Sequence, residues 1–339
     1  MKDIKFDWND ITLVPAVFSD IRSRKEINHL TSDGKLPLFI APMDTVVDAN
    51  NISTFLDMGF EVCVPRGVKN DFKDAFTSFG LEDIENLVEN NSELPNRVLI
   101  DIANGHSIRL YEVSKKIKEQ YSNVILMVGN IANPKTYEEY AKIGVDYIRV
   151  GIGSGSACLT SSNTATHYPY GSLIKECADI KYQNDYATKI VADGGFKSYK
   201  DIIMALAVGS DMIMLGGIIN KSLDACGKTY ILQDKTYIEI PNAEAIEYYN
   251  EGGEVFRVYR GMSVKAVQRS WGKKESDLRT SEGISMYNKI EYTMDGWKEN
   301  FSDYLRSAMS YTDKKELYDF IGGVEYVFIT QNAYNRFTK

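Results

Sequence analysis

The chain is poor in the residues that build metal centres and covalent frameworks. Of 339 residues only four are cysteine and three histidine. Cys63, Cys158, Cys177 and Cys226 stand far apart, with no C-x-x-C pair and no Cys/His cluster. That spacing speaks against a zinc site and against a disulfide scaffold, and reduced thiols fit a cytoplasmic protein. No apolar run approaches the roughly 18 residues of a membrane span. The first residues, Met1 to Trp8, lack the apolar core of a signal peptide. Basic charge is also scarce: 39 Lys and Arg against 47 Asp and Glu leave a net charge of −8, with no basic stripe to track phosphates. Neither a nucleic acid nor a membrane is therefore expected as a partner. The basic pairs Lys273-Lys274 and Lys314-Lys315 read as solvated positions. There is no internal repeat, low-complexity segment or clear linker.

What remains is the composition of an ordinary globular protein, 44% hydrophobic and 25% charged. Short apolar runs alternate with amphipathic stretches from about residue 38 to residue 217. Eight strands are predicted: Leu38–Ala41, Glu61–Val64, Ala75–Ser78, Arg97–Ile102, Val124–Val128, Tyr147–Val150, Lys189–Ala192 and Met212–Leu215. Helices are predicted between most of them, at Ala49–Met58, Leu81–Asn90, Ile108–Glu119, Pro134–Ile143, Gly171–Ala178 and Tyr199–Ala207. Such alternation implies a parallel sheet, and eight units in one domain suggest a closed (β/α)8 TIM barrel; an open doubly wound sheet is the alternative. The tail predicts a helix over Tyr311–Ile321 and an apolar run over Val324–Thr330.

Acids, amides, glycines and one cysteine recur just after these strands. They are Pro42-Met43-Asp44, Arg66-Gly67, Asp101 with Asn104, Gly105 and His106, Gly129-Asn130, Asp193-Gly194-Gly195, and Gly216-Gly217. In a barrel all of them ring the C-terminal face, where active sites sit. The densest cluster is Gly151-Ile-Gly-Ser-Gly-Ser-Ala-Cys158-Leu-Thr160, directly after an apolar run. Closely spaced glycines turn the backbone and present its N–H groups, which suits an anion such as phosphate. A thiol at the tip of such a loop suits a nucleophile. A flexible loop carrying an incidental thiol is the plainer account of the loop alone, but it leaves the accompanying acids and amides unexplained.

Together these residues resemble the inosine monophosphate dehydrogenase and guanosine monophosphate reductase family, almost end to end. The motifs carrying the resemblance, in family order, are Phe6 to Ala16, Ala41-Pro-Met-Asp-Thr-Val46, Asp101-Ile-Ala-Asn-Gly-His-Ser107, the Cys158 loop, Ala192-Asp-Gly-Gly195, Met214-Leu-Gly-Gly217, Tyr259-Arg-Gly-Met-Ser263 and Leu305-Arg-Ser-Ala-Met-Ser-Tyr311. The resemblance implies an enzyme acting at carbon 2 of a purine nucleoside monophosphate. Cys158 would attack that carbon to form a thioimidate, and hydride would pass between it and a nicotinamide cofactor. Ser156, Gly194, Gly195, Gly216 and Gly217 would hold the 5′-phosphate and Asp193 the ribose. Met43, Gly261, Met262 and Ser263 would hold the base. Asp101, Asn104, Gly105 and Arg279 would face the cofactor. The backbone at Gly151, Gly153 and Cys158 would offer a monovalent cation site, for K+. The resemblance further implies a homotetramer and a mobile flap at about residues 264–290, polar from Gln268 to Gly283.

Three features favour the reductase direction, GMP with NADPH, over the dehydrogenase direction, IMP with NAD. After Arg66-Gly67 the chain passes straight to its third barrel unit, with no regulatory insert of the CBS type. Between Met262 and Gly283 there is no Arg-Tyr pair of the kind dehydrogenases use to activate water. Arg279-Thr-Ser-Glu282-Gly283 resembles the reductase segment whose glutamate works with a threonine two places after the cysteine, here Thr160. Other features depart from the reductase pattern: Tyr259-Arg260-Gly261-Met262 is more dehydrogenase-like, Leu159 and Ser161 to Tyr168 match neither, and residues 223–257 are long. A nucleotide-binding regulator without catalysis is the third reading; it would need the phosphate loop but not the thiol.

Overall fold

Eight short parallel strands close on themselves in the computed structural model of the chain, which describes residues 4–270, 275–278 and 280–337. One strand, β1 (Ile11–Leu13), precedes the barrel. The barrel strands are β2 (Leu38–Ile40), β3 (Glu61–Val64), β4 (Phe76–Phe79), β5 (Arg97–Asp101), β6 (Ile125–Ile131), β7 (Tyr147–Val150), β8 (Lys189–Asp193) and β9 (Met212–Leu215). Each pairs in parallel with the next, and Phe39 opposite Met214 closes β2 on β9. The closed barrel is thus the observed architecture, and all eight predicted strands form with ends shifted by a few residues.

The helices α1 (Ile52–Asp57), α2 (Leu81–Glu89), α3 (Ile108–Gln120), α4 (Pro134–Lys142), α5 (Thr160–Thr164), α6 (Tyr170–Asn184), α7 (Tyr199–Val208) and α8 (Gly217–Asn220) fill the connections. Their starts are written locally. Asn133 caps α4 ahead of a proline, and Ser198 and Asp201 form a reciprocal capping box on α7. Inside the barrel Phe39, Cys63, Phe76, Leu99, Met127, Val191, Met212 and Met214 pack together, so the interior is a filled core. Polar groups close both ends. At the bottom, Glu61 pairs with Lys35 (3.1 Å) and Arg97 (3.0 Å). At the top lie Arg149, Asp101 and Asp193.

The roughly 120 residues after the barrel build a second layer on it. Strands β10 (Thr229–Gln233), β11 (Thr236–Ile240), β12 (Val255–Arg260) and β13 (Ser285–Lys289) form an antiparallel sheet in the order β11-β10-β12-β13. Helices α9 (Asn242–Asn250) and α10 (Lys265–Ser270) flank β12 in sequence. The long stretch 223–257 is therefore mostly regular structure. Of the expected flap, Lys265–Ser270 is helical and Ser285–Lys289 pairs with β12. Trp271, Lys273, Lys274 and Arg279 lie outside the described residues.

The tail corrects one expectation. No helix runs over Tyr311–Ile321; a long helix, α11 (Met294–Tyr311), ends where that one was expected to begin, and α12 (Leu317–Phe320) is a single turn. The apolar spacing that forms α11 is Met294, Trp297, Phe301, Leu305 and Met309, all buried. Asp313 then turns left-handed (φ 54°), and the Lys314 N–H returns to the Met309 carbonyl at 2.9 Å, which stops the helix. The Val324–Thr330 run contains β14 (Tyr326–Phe328), antiparallel to β1, and α13 (Gln331–Phe337) follows.

Two buried side chains fasten the added sheet to the barrel. Asn220, at the end of α8, donates to the carbonyls of Thr45 (2.8 Å) and Val258 (3.1 Å) and accepts from Asn288 (2.9 Å). Arg257 on β12 points its guanidinium at the carbonyls of Asn220 (3.3 Å), Ser222 and Leu223 (3.2 Å). Burial lowers its pKa to about 10, which leaves it charged at neutral pH. Arg257→Met keeps much of the bulk but strands these three acceptors. Hydrogen bonds to a charged group are worth about 1.5–3 kcal/mol each, partly replaced by water, so a net loss of about 3 kcal/mol is expected in urea unfolding. A loss below about 1 kcal/mol would show that the sheet is held by its apolar contacts instead.

Candidate active site

Every barrel strand except β4 delivers polar or backbone groups to the C-terminal face in the way the sequence foretells. The loop after β7 meets two segments of the added sheet at one backbone atom, the carbonyl oxygen of Ala157. Gly261, just after β12, lies so close that a Cβ there would sit 2.5 Å from this oxygen; one on Gly283 would sit 3.2 Å away. Glycine is required at the first position, because that separation is well inside van der Waals contact. The approach lets Cys158 and Gly283 form an antiparallel bridge. The Leu159 N–H donates to the Glu282 carbonyl (2.6 Å), the Ile284 N–H to Ala157 (3.1 Å) and the Gly261 N–H to Ile284 (3.1 Å).

This pairing brings together three side chains that the sequence singled out. The Cys158 thiol donates to Thr160 Oγ1 at 3.3 Å, and the Thr160 hydroxyl donates to Glu282 Oε2 at 2.5 Å. A proton can therefore travel between sulfur and carboxylate through one hydroxyl. Cys158 is half-buried, whereas Cys63, Cys177 and Cys226 are buried. Burial pushes those three thiols up, Cys226 to about 12 and the other two further, so they stay protonated.

Beside the cysteine loop, small residues outline a concave surface. Gly194 (φ 90°) and Gly195 (φ 83°) lie against Ser154 and Gly155, where side chains would collide with that loop. Ser156 is exposed, and Gly217 faces its hydroxyl. Sequence reasoning missed Tyr259. Its hydroxyl is hydrogen-bonded to Ser156, lies 3.6 Å from the Met43 sulfur and abuts Gly216; burial pushes its pKa to about 12. The available signal was the aromatic residue opening Tyr259-Arg-Gly-Met. Met43, Met262 and Ser263 are half-buried on the same side.

The carboxylates sit lower, at the mouth of the barrel core. Arg149 on β7, read in the sequence only as part of a strand, donates from Nη1 to Asp101 Oδ1 (2.5 Å) and from Nη2 and Nε to Asp193 Oδ2 (2.8 and 3.1 Å). Its signal was a charge within an otherwise apolar strand. Asn130 adds a bond to Asp193 Oδ2 (2.6 Å), and Arg66 lies 3.4 Å from Asp101 Oδ2. Burial by itself raises the Asp101 pKa, but the two guanidinium charges outweigh it and hold the carboxyl below the usual range. Burial likewise disfavours the Arg149 cation, and Asp193 and Asp101 reverse that effect. Asn104 is exposed near Asp101, whereas Gly105 is buried and donates to the Asn130 carbonyl (2.7 Å), so it packs its loop onto β6. An open cleft of about 610 Å³, lined by Arg66, Gly67, Thr77, Phe79, Asp83 and Asn86 among others, lies beside this network. Arg279 lies outside the described residues.

In the loop expected to offer a cation site, the Gly151 carbonyl accepts from Asn130 Nδ2 (2.9 Å) and the Gly153 carbonyl from the Ser161 hydroxyl (2.9 Å). Each carbonyl oxygen keeps a second lone pair. Among the described residues no group of three or more His, Cys, Asp or Glu is placed to hold a metal ion.

Comparison with known proteins agrees with this geometry. A family model, the IMP dehydrogenase / GMP reductase domain, matches residues 75–336. A GMP reductase of Streptococcus agalactiae is 27% identical to the chain over 97% of each protein. GMP reductase 2 of Homo sapiens is 24% identical, covering 98% of this chain and 96% of the human protein. A GMP reductase of Lysinibacillus sphaericus is 26% identical over 98% of each. With a closed (β/α)8 barrel, a cysteine loop after its sixth strand and a family match over most of its length, the chain belongs to the IMP dehydrogenase / GMP reductase family.

Proposed function

We propose that this chain is a GMP reductase, converting guanosine monophosphate and NADPH to inosine monophosphate, NADP+ and ammonia. The observation that carries the reading is the chain of contacts from Cys158 through Thr160 to Glu282. Deamination needs two opposite proton movements at one place. The thiol must lose its proton to add to carbon 2 of the purine, and the amino group must gain one to leave. A relay that touches sulfur at one end and a carboxylate at the other serves both. Thiolate addition at carbon 2 and loss of ammonia give a thioimidate on Cys158. Hydride addition to that carbon then expels the thiolate and yields the product.

The nicotinamide cofactor supplies that hydride when bound. Asp101 and the cleft beside Arg66 suit its approach, since Arg66 both lines the cleft and pairs with Asp101. The exposed hydroxyl of Ser156, Tyr259 and the turns at Gly194-Gly195 and Gly216-Gly217 suit the nucleotide phosphate, and Asp193 suits the ribose hydroxyls. The pairing of Cys158 with Gly283 holds the thiol within reach of the Thr160–Glu282 relay. The dehydrogenase alternative needs a water-activating base. Tyr259-Arg260-Gly261-Met262 resembles that branch, but the Arg-Tyr pair that would activate water is missing from the sequence between Met262 and Gly283.

Cys158→Ala should bind GMP nearly as the parent does while abolishing turnover, followed at 340 nm; turnover near the wild-type rate would remove Cys158 from the mechanism. Consumption of NADPH with GMP is expected, and robust NAD reduction with IMP alone would reject the reductase reading.

Glu282→Gln and Thr160→Ala should each slow ammonia release by about 100-fold or more, the usual scale of general-acid help. Because the two act as one relay, the double variant should lose little beyond the worse single one. Fully multiplicative losses in single-turnover measurements would count against a shared path.

The family implies a homotetramer. Val17 and Phe18, 89% and 88% exposed, sit on the loop whose Ala16 N–H bonds the Tyr311 carbonyl, and Tyr311 is itself 67% exposed. An apolar face of this kind suits a subunit contact. Sedimentation should give four copies, and Val17→Asp with Phe18→Asp should shift the particle to smaller species; a monomeric parent would reject the assembly.

A further inference from the structure

We propose that Arg149 is a positioning residue that makes nucleotide and cofactor binding interdependent. The inference rests on the reading above, in which Asp193 serves the nucleotide and Asp101 the cofactor. These carboxylates come from β8 and β5, on either side of the strand that carries Arg149, and they do not bond each other. One guanidinium joins them. Its side chain is 9% exposed, and its planar fork sends Nη1 to Asp101 (2.5 Å) and Nη2 to Asp193 (2.8 Å). No other cation among the described residues lies within 4.0 Å of Asp193, whose remaining side-chain donor on Oδ2 is the Asn130 amide. Asp101 has a second cation, Arg66, at 3.4 Å.

A rigid fork cannot move toward one carboxylate without moving away from the other. A ribose hydroxyl that donates to Asp193 competes with Arg149 for its oxygens and lets the guanidinium settle toward Asp101. A ligand that engages Asp101 has the converse effect. Burial keeps these forces little screened, so the adjustment carries energy. Coupling of this kind is reciprocal, and couplings between sites commonly amount to 5–150-fold in affinity.

The test uses full-length enzyme carrying Cys158→Ala, in which GMP and NADPH bind without turnover. GMP dissociation constants are measured by calorimetry with and without saturating NADPH. GMP is expected to bind about 10-fold more weakly with saturating NADPH in this parent, the ratio falling below about 2 when Arg149→Met is added, with Arg149→Lys intermediate because it keeps the charge but not the fork. A merely structural arginine would lower the melting temperature and leave the ratio unchanged. Should Arg149→Met fail to fold, Asp101→Asn provides the second readout. Asp101 belongs to the cofactor half, yet the freed Arg149 would turn wholly to Asp193 and weaken GMP binding about 5-fold with no cofactor present. A ratio near one in the parent, an unchanged ratio in Arg149→Met, or unaltered GMP affinity in Asp101→Asn overturns the proposal. Failure of the parent to bind GMP at all, with a normal melting temperature, rejects the underlying reductase reading and is recognisable as such.

Discussion

The site depends on how closely three backbones approach the carbonyl of Ala157. Gly261 and Gly283 bring the strand after the barrel and the segment bearing Glu282 against the cysteine loop, and the bridge between Cys158 and Gly283 locks their register. Without that contact Thr160 and Glu282, 122 residues apart in sequence, have no reason to meet. The geometry is set by backbone hydrogen bonds and not by the relay itself. The acid is thereby held in place before any ligand arrives, the arrangement that costs least when chemistry begins.

The barrel beneath supplies rigidity of another kind. Its interior is filled by aromatic and sulfur-containing side chains, and the charges lie only at its two ends. At the upper end Arg149 and Arg66 sit among two aspartates, and their charges hold the Asp101 carboxyl below the usual range in spite of its burial. A buried cation flanked by two carboxylates is stable only while each partner is present, so the network holds these side chains in place. The same arrangement places Asp193 and Asp101 under one guanidinium, which is the physical basis of the proposed coupling.

The added sheet is a working part of this design. β12 ends in Tyr259 and Arg260 at the site, and β13 begins directly after Glu282, Gly283 and Ile284. Asn220 and Arg257 fasten these strands to α8, which follows Gly216, and to the loop after β2. Displacing the sheet would therefore move Gly216 and Gly217, Met43 and Glu282 together.

Much of this was legible in the sequence. Strand–helix alternation fixed the eight units, because each buried strand must be a short apolar run and each covering helix amphipathic. The positions of Met43, Asp101, Cys158, Asp193 and Gly216 just after strands placed them on one face. The family motifs point to Thr160 and Glu282 as partners, and the two are hydrogen-bonded. Other features have no local signature. The tail helix was misplaced because a left-handed Asp313 stops α11, and a single residue's backbone choice is decided by what packs around it. Arg149 looked like one charge in a strand, and only the fold puts two aspartates within reach of its fork. Tyr259 gained its role from Ser156 and Met43, both distant in sequence. The sequence by itself determined the order of elements and the ring of polar groups that includes the Cys158 loop, since these follow from periodicity and residue chemistry. The tertiary structure alone decided which of those groups share protons and charge, because hydrogen bonds between distant segments depend on separations that no local pattern encodes.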